Sequence, residues 1–289
     1  MNPACRRILA AALLSLLFSS AARAERLPRP DHAEHLPHPD HVVIVIEENH
    51  GYAQIMDKRN GASYIHALAK RGMLFTRSYG VSHPSQPNYL ALFSGSNQGV
   101  SNDACLGTFD GDNLASSLLD GGFSFATFSE SLPATGDLDC AAGAYQRKHN
   151  PAANWQGTRL RAGLNKRFAD FPQDYSRLPT VSFVIPNQHN DMHDGSFEEA
   201  DEWLKTRIAP YVGWAMTHNS LLILTWDEDD FRGDNRIVTI LAGQKVKAGT
   251  SAQRIDHYSV LRTLLDFYDL PALGASRDAE PIGGVWKNH

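Results

Sequence analysis

Residues 42–50, VVIVIEENH, decide the fold of this chain. Their first five members are apolar and β-branched, which is typical of a strand that is buried on both faces of a sheet. Two carboxylates, an amide and an imidazole follow immediately. Such groups are costly to bury unless they are solvated or bind something. The segment therefore predicts a central strand with a polar cluster at its carboxyl end, although an ordinary polar loop is the alternative.

Outward from this segment, apolar strands alternate with helical stretches. Strands are predicted over residues 73–79, 123–128, 180–185, 221–226 and 237–242. Helices are predicted over residues 62–71, 87–93, 113–120, 196–214 and 259–268. This alternation indicates an α/β fold in which helices cover both faces of a mostly parallel central sheet. Ligands of such folds bind at the carboxyl ends of the strands, so we expect the functional site there.

The chain begins with the pattern of an export signal. In residues 1–24, Arg6 and Arg7 precede a short apolar run, and Ala22-Arg23-Ala24 has the small residues of a cleavage site. The run is too short to cross a bilayer, so we expect no transmembrane anchor and a periplasmic or secreted location. An uncleaved anchor is the alternative.

The remaining residues divide into a leader and a domain. Residues 25–41 are rich in His and Pro and predict a flexible leader. Residues 42–289 have a length that suits one domain. Within that domain, residues 136–171 have little periodicity and predict a cap or a long loop.

Charge and cysteine content restrict the partners and the compartment. The signal contains three arginines and no acid, so its removal changes the formal net charge from −5 to −8. This charge argues against nucleic acid or an anionic membrane as the main partner.

Cys5 lies in the signal, which leaves Cys105 and Cys140 as a pair. A disulfide is expected in an oxidising compartment, and thiolate metal ligands are the alternative.

Acidic groups follow two of the predicted strands. Glu48 and Asn49 come after the first strand, and residues 227–230, DEDD, follow the strand over residues 221–226. Four consecutive acids repel one another unless water or a cation neutralises them. Oxygen donors at one sheet edge would suit a hard divalent cation, whereas an exposed acidic loop is the alternative.

Ser85 lies just before a helix that is predicted to open at Pro87. A hydroxyl group at the positive end of a helix suits a nucleophile that attacks an anionic group. The alternative is that Ser85 only caps the helix. The surrounding residues do not match GxSxG, so a nucleophile elbow is not indicated.

Two loops add further chemistry. Residues 186–194 include Asp191 and His193, and residues 145–151 include Lys148 and His149. Cations and imidazoles of this kind can hold a phosphate or protonate a leaving group. A polar turn and a solvated basic loop are the alternatives.

Taken in order, these segments resemble the phosphoesterase family of bacterial acid phosphatases and phospholipases C, within the alkaline-phosphatase superfamily. The resemblance rests on residues 45–50, 83–90, 148–151, 190–194, 227–228 and 256–259. It implies an alkaline-phosphatase-like three-layer sandwich. The implied metal ligands are Glu48, Asn49, Ser85, Asp227 and Glu228. The implied catalytic residues are Ser85 as the nucleophile, with His149 and His193 at the phosphoryl group, and the implied substrate contacts are Asn88, Lys148 and Asp191.

Departures from related families refine these expectations. The His-rich ligand set of two-zinc alkaline phosphatases is missing, so we expect one firmly bound divalent cation and leave a second open. Asp191 could be a ligand of that second ion or could orient a ligand of the first. The donors favour Mg, Ca or Mn, and Fe or Zn are alternatives. The Cys-x-Pro-Ser-Arg element of sulfatases is absent. His257 belongs to a matching segment, but Asp256 or Ser259 could instead cap the last helix.

The resemblance predicts an exported, metal-dependent phosphatase that hydrolyses small phosphate monoesters through a phosphoserine. Phospholipase C or phosphoinositide phosphatase activity, with phospholipid head groups as substrates, is the alternative. From a different class, a non-catalytic periplasmic metal-binding protein would use the leader histidines His32, His35, His38 and His41. No oligomeric state is predicted.

Overall fold

A large twisted sheet organises the computed structural model, which describes residues 36–287. Its strands, in chain order, are β1 His41–Glu47, β2 Met73–Tyr79, β3 Phe125–Ser129, β4 Ala141–Ala142, β5 Tyr145–Gln146, β6 Asn165–Arg167, β7 Val181–Ile185, β8 Ser220–Trp226, β9 Arg236–Gly243, β10 Gly249–Ser251 and β11 Ile255–Asp256. The order across the sheet is β10-β2-β9-β8-β1-β7-β3-β6, and β11 also pairs with β2. Strands β4 and β5 form a separate hairpin.

The sheet is mostly parallel, as predicted. Among the described strands of this sheet, only β9 runs antiparallel to its neighbours, which are β2 and β8. Strand β1 lies at the centre, with Val45 opposite Leu224 of β8 on one side and Val184 of β7 on the other. The carboxyl ends of β1, β7 and β8 therefore meet at one edge.

Helices cover both faces of the sheet. They are α1 Tyr52–Ile55, α2 Ser63–Arg71, α3 Ser85–Ser94, α4 Leu114–Asp120, α5 Phe197–Trp203, α6 Ala209–Ala215 and α7 His257–Phe267. Val43 and Val45 of β1 pack with residues of α2, α5 and α6. Val42, Ile44 and Ile46 pack with residues of α3, α4 and α7 on the other face. Strand β1, which is buried at every residue after His41, thus forms the middle of the predicted three-layer sandwich.

A local sequence signal explains where α5 begins, whereas α3 begins earlier than predicted. Ser196 and Glu199 form the predicted capping box, with each side chain bonded to the backbone of the other. A π turn over Leu204–Ile208 joins α5 to α6, so the helical stretch continues to Ala215. Helix α3 begins at Ser85, two residues before the predicted opening at Pro87.

The structure describes only part of the predicted leader and none of the predicted export signal. The export signal, residues 1–24, and residues 25–35 of the leader lie outside the described residues. Residues 36–41 pack on the domain: His38 contacts the rings of Phe123 and Tyr268. Residues 136–171 form short turns and strands, and one of them, β6, adds an edge to the main sheet.

The predicted disulfide is present. Cys105 and Cys140 are bonded, with their Cα atoms 5.6 Å apart. The bond joins the loop after α3 to the segment after β3. Within residues 36–287, no helix combines the length and the apolar character needed to cross a bilayer.

Candidate active site

Backbone hydrogen bonds join the ends of the central strands into one rim. The amide of Glu48 donates to the Asp191 carbonyl over 2.8 Å, and the amide of Asp227 donates to the Glu47 carbonyl over 3.0 Å. Asn49 has a φ of +55°, a left-handed conformation that asparagine tolerates better than most residues. In this conformation its amide donates to Asp227 Oδ1 over 3.2 Å. The polar groups predicted after separate strands therefore lie together.

Ser85 lies at the first position of α3 and points into this rim. Its Oγ is 2.9 Å from Glu48 Oε2 and 3.2 Å from Glu228 Oε1. Pro84 takes the N-cap position of α3, and the Ser85 hydroxyl bonds carboxylates instead of helix amides, so the capping alternative does not describe it. A single hydroxyl hydrogen can serve only one of the two carboxylates at a time. Ser85 is thus held between acids from two different strand ends.

The acids around Ser85 have oxygen atoms without partners. Asp227 Oδ1 accepts from the amides of Asn49 and Glu228, but Asp227 Oδ2 and Asn49 Oδ1 are buried with no hydrogen-bond partner. Burial raises the pKa of Asp227 to about 7. Burial and the charge of Asp227 raise the pKa of Glu228 to about 9, and burial also raises that of Glu48. Unpartnered carboxylate and amide oxygens are the donors that a hard divalent cation binds, so this set fits a metal.

A second group of donors adjoins the first. Ligand atoms of Glu48, His149 and Asp191 all lie within 4.8 Å of one another. His149 Nε2 is 3.1 Å from Glu48 Oε1 without the geometry of a hydrogen bond, and Asp191 Oδ2 also has no hydrogen-bond partner. Burial lowers the pKa of His149, which favours the neutral imidazole that binds metals. These residues could hold a cation that shares Glu48 with the first group.

The other predicted residues border these two groups. The His193 ring lies 6.0 Å from that of His149, and its Nδ1 is 2.7 Å from Asp194 Oδ1. Lys148 Nζ is 2.7 Å from Asp103 Oδ2. Asn88 uses its amide on the backbone of residues 81–84, accepting from Val81 and Ser82. This contact supports a role for Asn88 in holding the loop before Ser85.

Three residues of the site were not predicted. His83 Nδ1 lies 2.6 Å from Glu228 Oε2, and Tyr89 donates to Glu48 Oε1 over 2.5 Å. Both belong to the matching segment 83–90, and the four-residue spacing of Ser85 and Tyr89 places them on the same side of α3. Asp103 bonds the Gln86 amide and Lys148, but it lies in a loop that has no sequence signal.

Asp256 and His257 make separate contacts at the start of α7. Asp256 accepts from the amides of Tyr258 and Ser259, so it caps α7. His257 Nε2 lies 2.6 Å from the carbonyl oxygen of Asp227. His257 therefore supports the backbone of the acidic strand end.

Comparisons with known proteins identify the family of this chain. The model of the "Phosphoesterase family" matches residues 57–271. A phosphatidylinositol-3-phosphatase of Mycobacterium tuberculosis is 45% identical over 250 residues, which cover 85% of this chain and 82% of that protein. A probable acid phosphatase of Kluyveromyces lactis is 32% identical, over 80% of this chain and 58% of its own length. A phosphate-repressible acid phosphatase of Penicillium chrysogenum is also 32% identical. The chain spans little more than half the length of these fungal relatives.

Solved structures confirm the predicted fold. An alkaline-phosphatase-superfamily protein from Vibrio parahaemolyticus superposes with a TM-score of 0.61 at 12% identity, over 86% of this chain and 71% of that one. A phosphonate monoester hydrolase from Silicibacter pomeroyi gives 0.54 at 11% identity, over 84% and 75%. The predictions of the family, the fold and a phosphoric ester hydrolase are confirmed. By the extent of these matches, the chain belongs to the phosphoesterase family.

Proposed function

We propose that this chain is a metal-dependent phosphatase that hydrolyses phosphate monoesters through a phosphoserine at Ser85. The observation that carries the proposal is the position of Ser85 Oγ, 2.9 Å from Glu48 and 3.2 Å from Glu228 at the start of α3. A hydroxyl between buried carboxylates is a poor nucleophile unless a cation offsets their charge and favours the alkoxide.

The first group of donors is the proposed site of the firmly bound cation. Its ligands are Glu48, Asn49, Ser85, Asp227 and Glu228. A divalent ion bound there would supply Lewis-acid stabilisation of negative charge. Oxygen donors favour Mg²⁺, Ca²⁺ or Mn²⁺. The second group, which includes His149, is the proposed position of an additional ion, and its nitrogen makes iron or zinc an alternative there.

The nucleophilic attack and the stabilisation of charge are assigned to residues of the chain itself. Ser85 attacks phosphorus in line and displaces the alcohol. Lys148, held by Asp103 beside the start of α3, offsets charge on the phosphoryl oxygens. The Gln86 amide donates to Asp103 Oδ1, so it supports that ion pair. Water then cleaves the phosphoserine and releases phosphate.

We assign the general acid to His193. Its ring is partly exposed, and Nδ1 is oriented by Asp194, which leaves Nε2 to face a leaving group. His149 is fully buried against Glu48 and Tyr89, and burial lowers its pKa. A buried imidazole that favours the neutral form suits a ligand or a phosphoryl contact better than a proton donor.

The similarity to a phosphatidylinositol-3-phosphatase favours a second candidate substrate class. The 3-phosphate of a phosphoinositide is itself a monoester, so it requires the same reaction as an acid-phosphatase substrate. Phosphoinositide phosphatase activity is therefore the second candidate. Phospholipase C activity would require cleavage of a diester, and the substrate panel below includes one.

The proposal includes export and processing. Residues 1–24 would be removed as a signal, residues 25–41 would form the leader, and residues 42–289 would form the catalytic domain with 136–171 at its rim. The disulfide between Cys105 and Cys140 supports a periplasmic or secreted location, because such bonds persist in oxidising compartments.

A substrate panel combined with metal analysis tests the proposal. The purified protein is assayed on p-nitrophenyl phosphate, on bis-p-nitrophenyl phosphate and on a short-chain phosphatidylinositol 3-phosphate. We expect hydrolysis of both monoesters, loss of activity after chelation, and recovery when one divalent cation is restored. Preference for the diester, or full activity in a metal-free preparation, would overturn the proposal.

A further inference from the structure

Phe231 has an unusual position for an aromatic residue. It is 63% exposed, and it lies in the loop between β8 and β9, three residues after Glu228. Its φ is +64°, a left-handed conformation that is unfavourable for a bulky side chain. A strained residue that also exposes a large apolar surface requires an explanation, and such residues concentrate at functional sites.

Hydrogen bonds hold the loop in this conformation. Asp229 Oδ1 accepts from the Phe231 amide over 2.9 Å, and Asp229 Oδ2 accepts from the Asn235 amide over 2.9 Å. Asn235 Oδ1 accepts from the Asp229 amide, and Asn235 Nδ2 donates to the carbonyl of Ser82, each over 2.9 Å. The loop is therefore tied to the segment that precedes Ser85, and the ring is presented in a fixed position.

One side of the ring is stacked within the site. The Phe231 and His83 rings lie 4.1 Å apart between centroids, at an interplanar angle of 28°. His83 Nδ1 is 2.6 Å from Glu228, and Glu228 is 3.2 Å from Ser85 Oγ. Three contacts thus connect the ring with the nucleophile, while Phe231 remains mostly exposed to solvent.

We propose that Phe231 is a specificity-determining residue that stacks against the leaving alcohol of the substrate. It would favour phosphate monoesters whose alcohol has an aromatic or broad apolar face over esters of small polar alcohols. This inference rests on the proposed phosphomonoesterase function. The stacked contact with His83, which adjoins Glu228 and Ser85, makes a single substrate molecule bound at Ser85 the proposed occupant.

The test compares substrates that differ only in the alcohol. Wild-type protein, Phe231→Ala and Phe231→Tyr are assayed with the restored metal on p-nitrophenyl phosphate and on glycerol 2-phosphate. We expect Phe231→Ala to reduce kcat/KM for the aryl ester about two- to tenfold, the size of one lost ring contact, through a higher KM. The glycerol ester should change less than twofold, and Phe231→Tyr should keep the wild-type ratio.

Leu138→Ala is the matched control, because Leu138 is the other large apolar side chain that is exposed among residues 36–287. It should leave both substrates unchanged. Equal losses on both esters in Phe231→Ala would overturn the inference and assign Phe231 to support of His83. The same variants are also assayed on phosphatidylinositol 3-phosphate in vesicles and in its soluble short-chain form, and a loss confined to the vesicle-bound substrate would overturn the inference in favour of membrane contact. Failure of the wild-type protein on every monoester would instead reject the proposed function.

Discussion

His83 Nδ1 lies 2.6 Å from Glu228 Oε2, while the other oxygen of the same carboxylate lies 3.2 Å from Ser85 Oγ. The imidazole therefore fixes the orientation of an acid that faces the nucleophile. Loss of a residue that hydrogen-bonds a metal ligand typically lowers metal affinity about 10- to 100-fold. With Glu228 as a proposed ligand, we propose that His83 is a positioning residue of this kind.

His83→Ala should weaken metal binding about 10- to 100-fold, because Glu228 loses the group that orients it. The measurement is activity as a function of added cation, with bound metal determined in parallel. Excess metal should restore most of kcat. His66→Ala is a suitable control, since His66 bonds the carbonyl of Ile55 away from the acids. An unchanged metal dependence in His83→Ala would remove His83 from this role.

Ser85→Ala should lower kcat about 10³-fold or more, because no other hydroxyl lies between Glu48 and Glu228 in the described residues. Metal content and the thermal unfolding transition should be retained. Ser94→Ala changes the same residue type in the same helix, but its hydroxyl bonds the carbonyl of Leu90, so activity should remain. Substantial turnover by Ser85→Ala would show that the phosphoserine route is wrong.

The fold was predictable for segments whose sequence pattern specifies their position in the sheet. Strand β1 is a β-branched run, and such a run is buried on both faces only at the centre of a parallel sheet. Strand β6 was missed because its three residues, Asn165–Arg167, have no apolar periodicity and pair with β3 only through tertiary position. Residues 36–41 resemble a flexible leader in composition, yet Leu36 packs against the core.

The site was predictable for residues that directly follow strands. Glu48 and Asp227 could be placed together because parallel strands end at one edge. Asp103 could not be placed, because its position depends on Lys148 and on the start of α3, and no pattern in its own loop specifies either contact. His83 lay within a matching segment, but only the structure shows that its ring reaches Glu228.

The buried acids give the metal-free protein a distinct pH dependence. The pKa values of Asp227 and Glu228 are raised to about 7 and about 9, mainly by burial, so in this range the folded state binds more protons than the unfolded state. Stability that is complete at low pH is then lost as pH rises through these values. Burial lowers the pKa values of His149 and His257, so these two residues have the opposite effect on stability. Their contribution to the stability of the folded state grows as pH rises and is complete above 6.5, the ordinary pKa of histidine.

Between pH 7 and pH 9, the Tm of the chelated protein should therefore fall, and a saturating divalent cation should raise Tm and flatten this slope. Thermal unfolding with and without metal checks both effects. Asp227→Asn removes one of the charges and should reduce the slope in the chelated protein. A Tm that is independent of pH in the absence of metal would show that the acids are neutralised by another means.

The two histidines at the rim can be separated by the leaving group. A general acid matters most when the alcohol is a poor leaving group, and p-nitrophenolate needs little protonation. His193→Ala should therefore lower kcat/KM on glycerol 2-phosphate about 10²-fold or more and affect p-nitrophenyl phosphate far less. His149→Ala should lower both equally, because His149 is buried beside Glu48 and not at the mouth. His189→Ala, an exposed histidine of the same turn, is the control and should change neither. The reverse pattern, with His149→Ala selective for the alkyl ester, would transfer the proton donor to His149 and leave His193 as a residue that only orders the turn around Asp191.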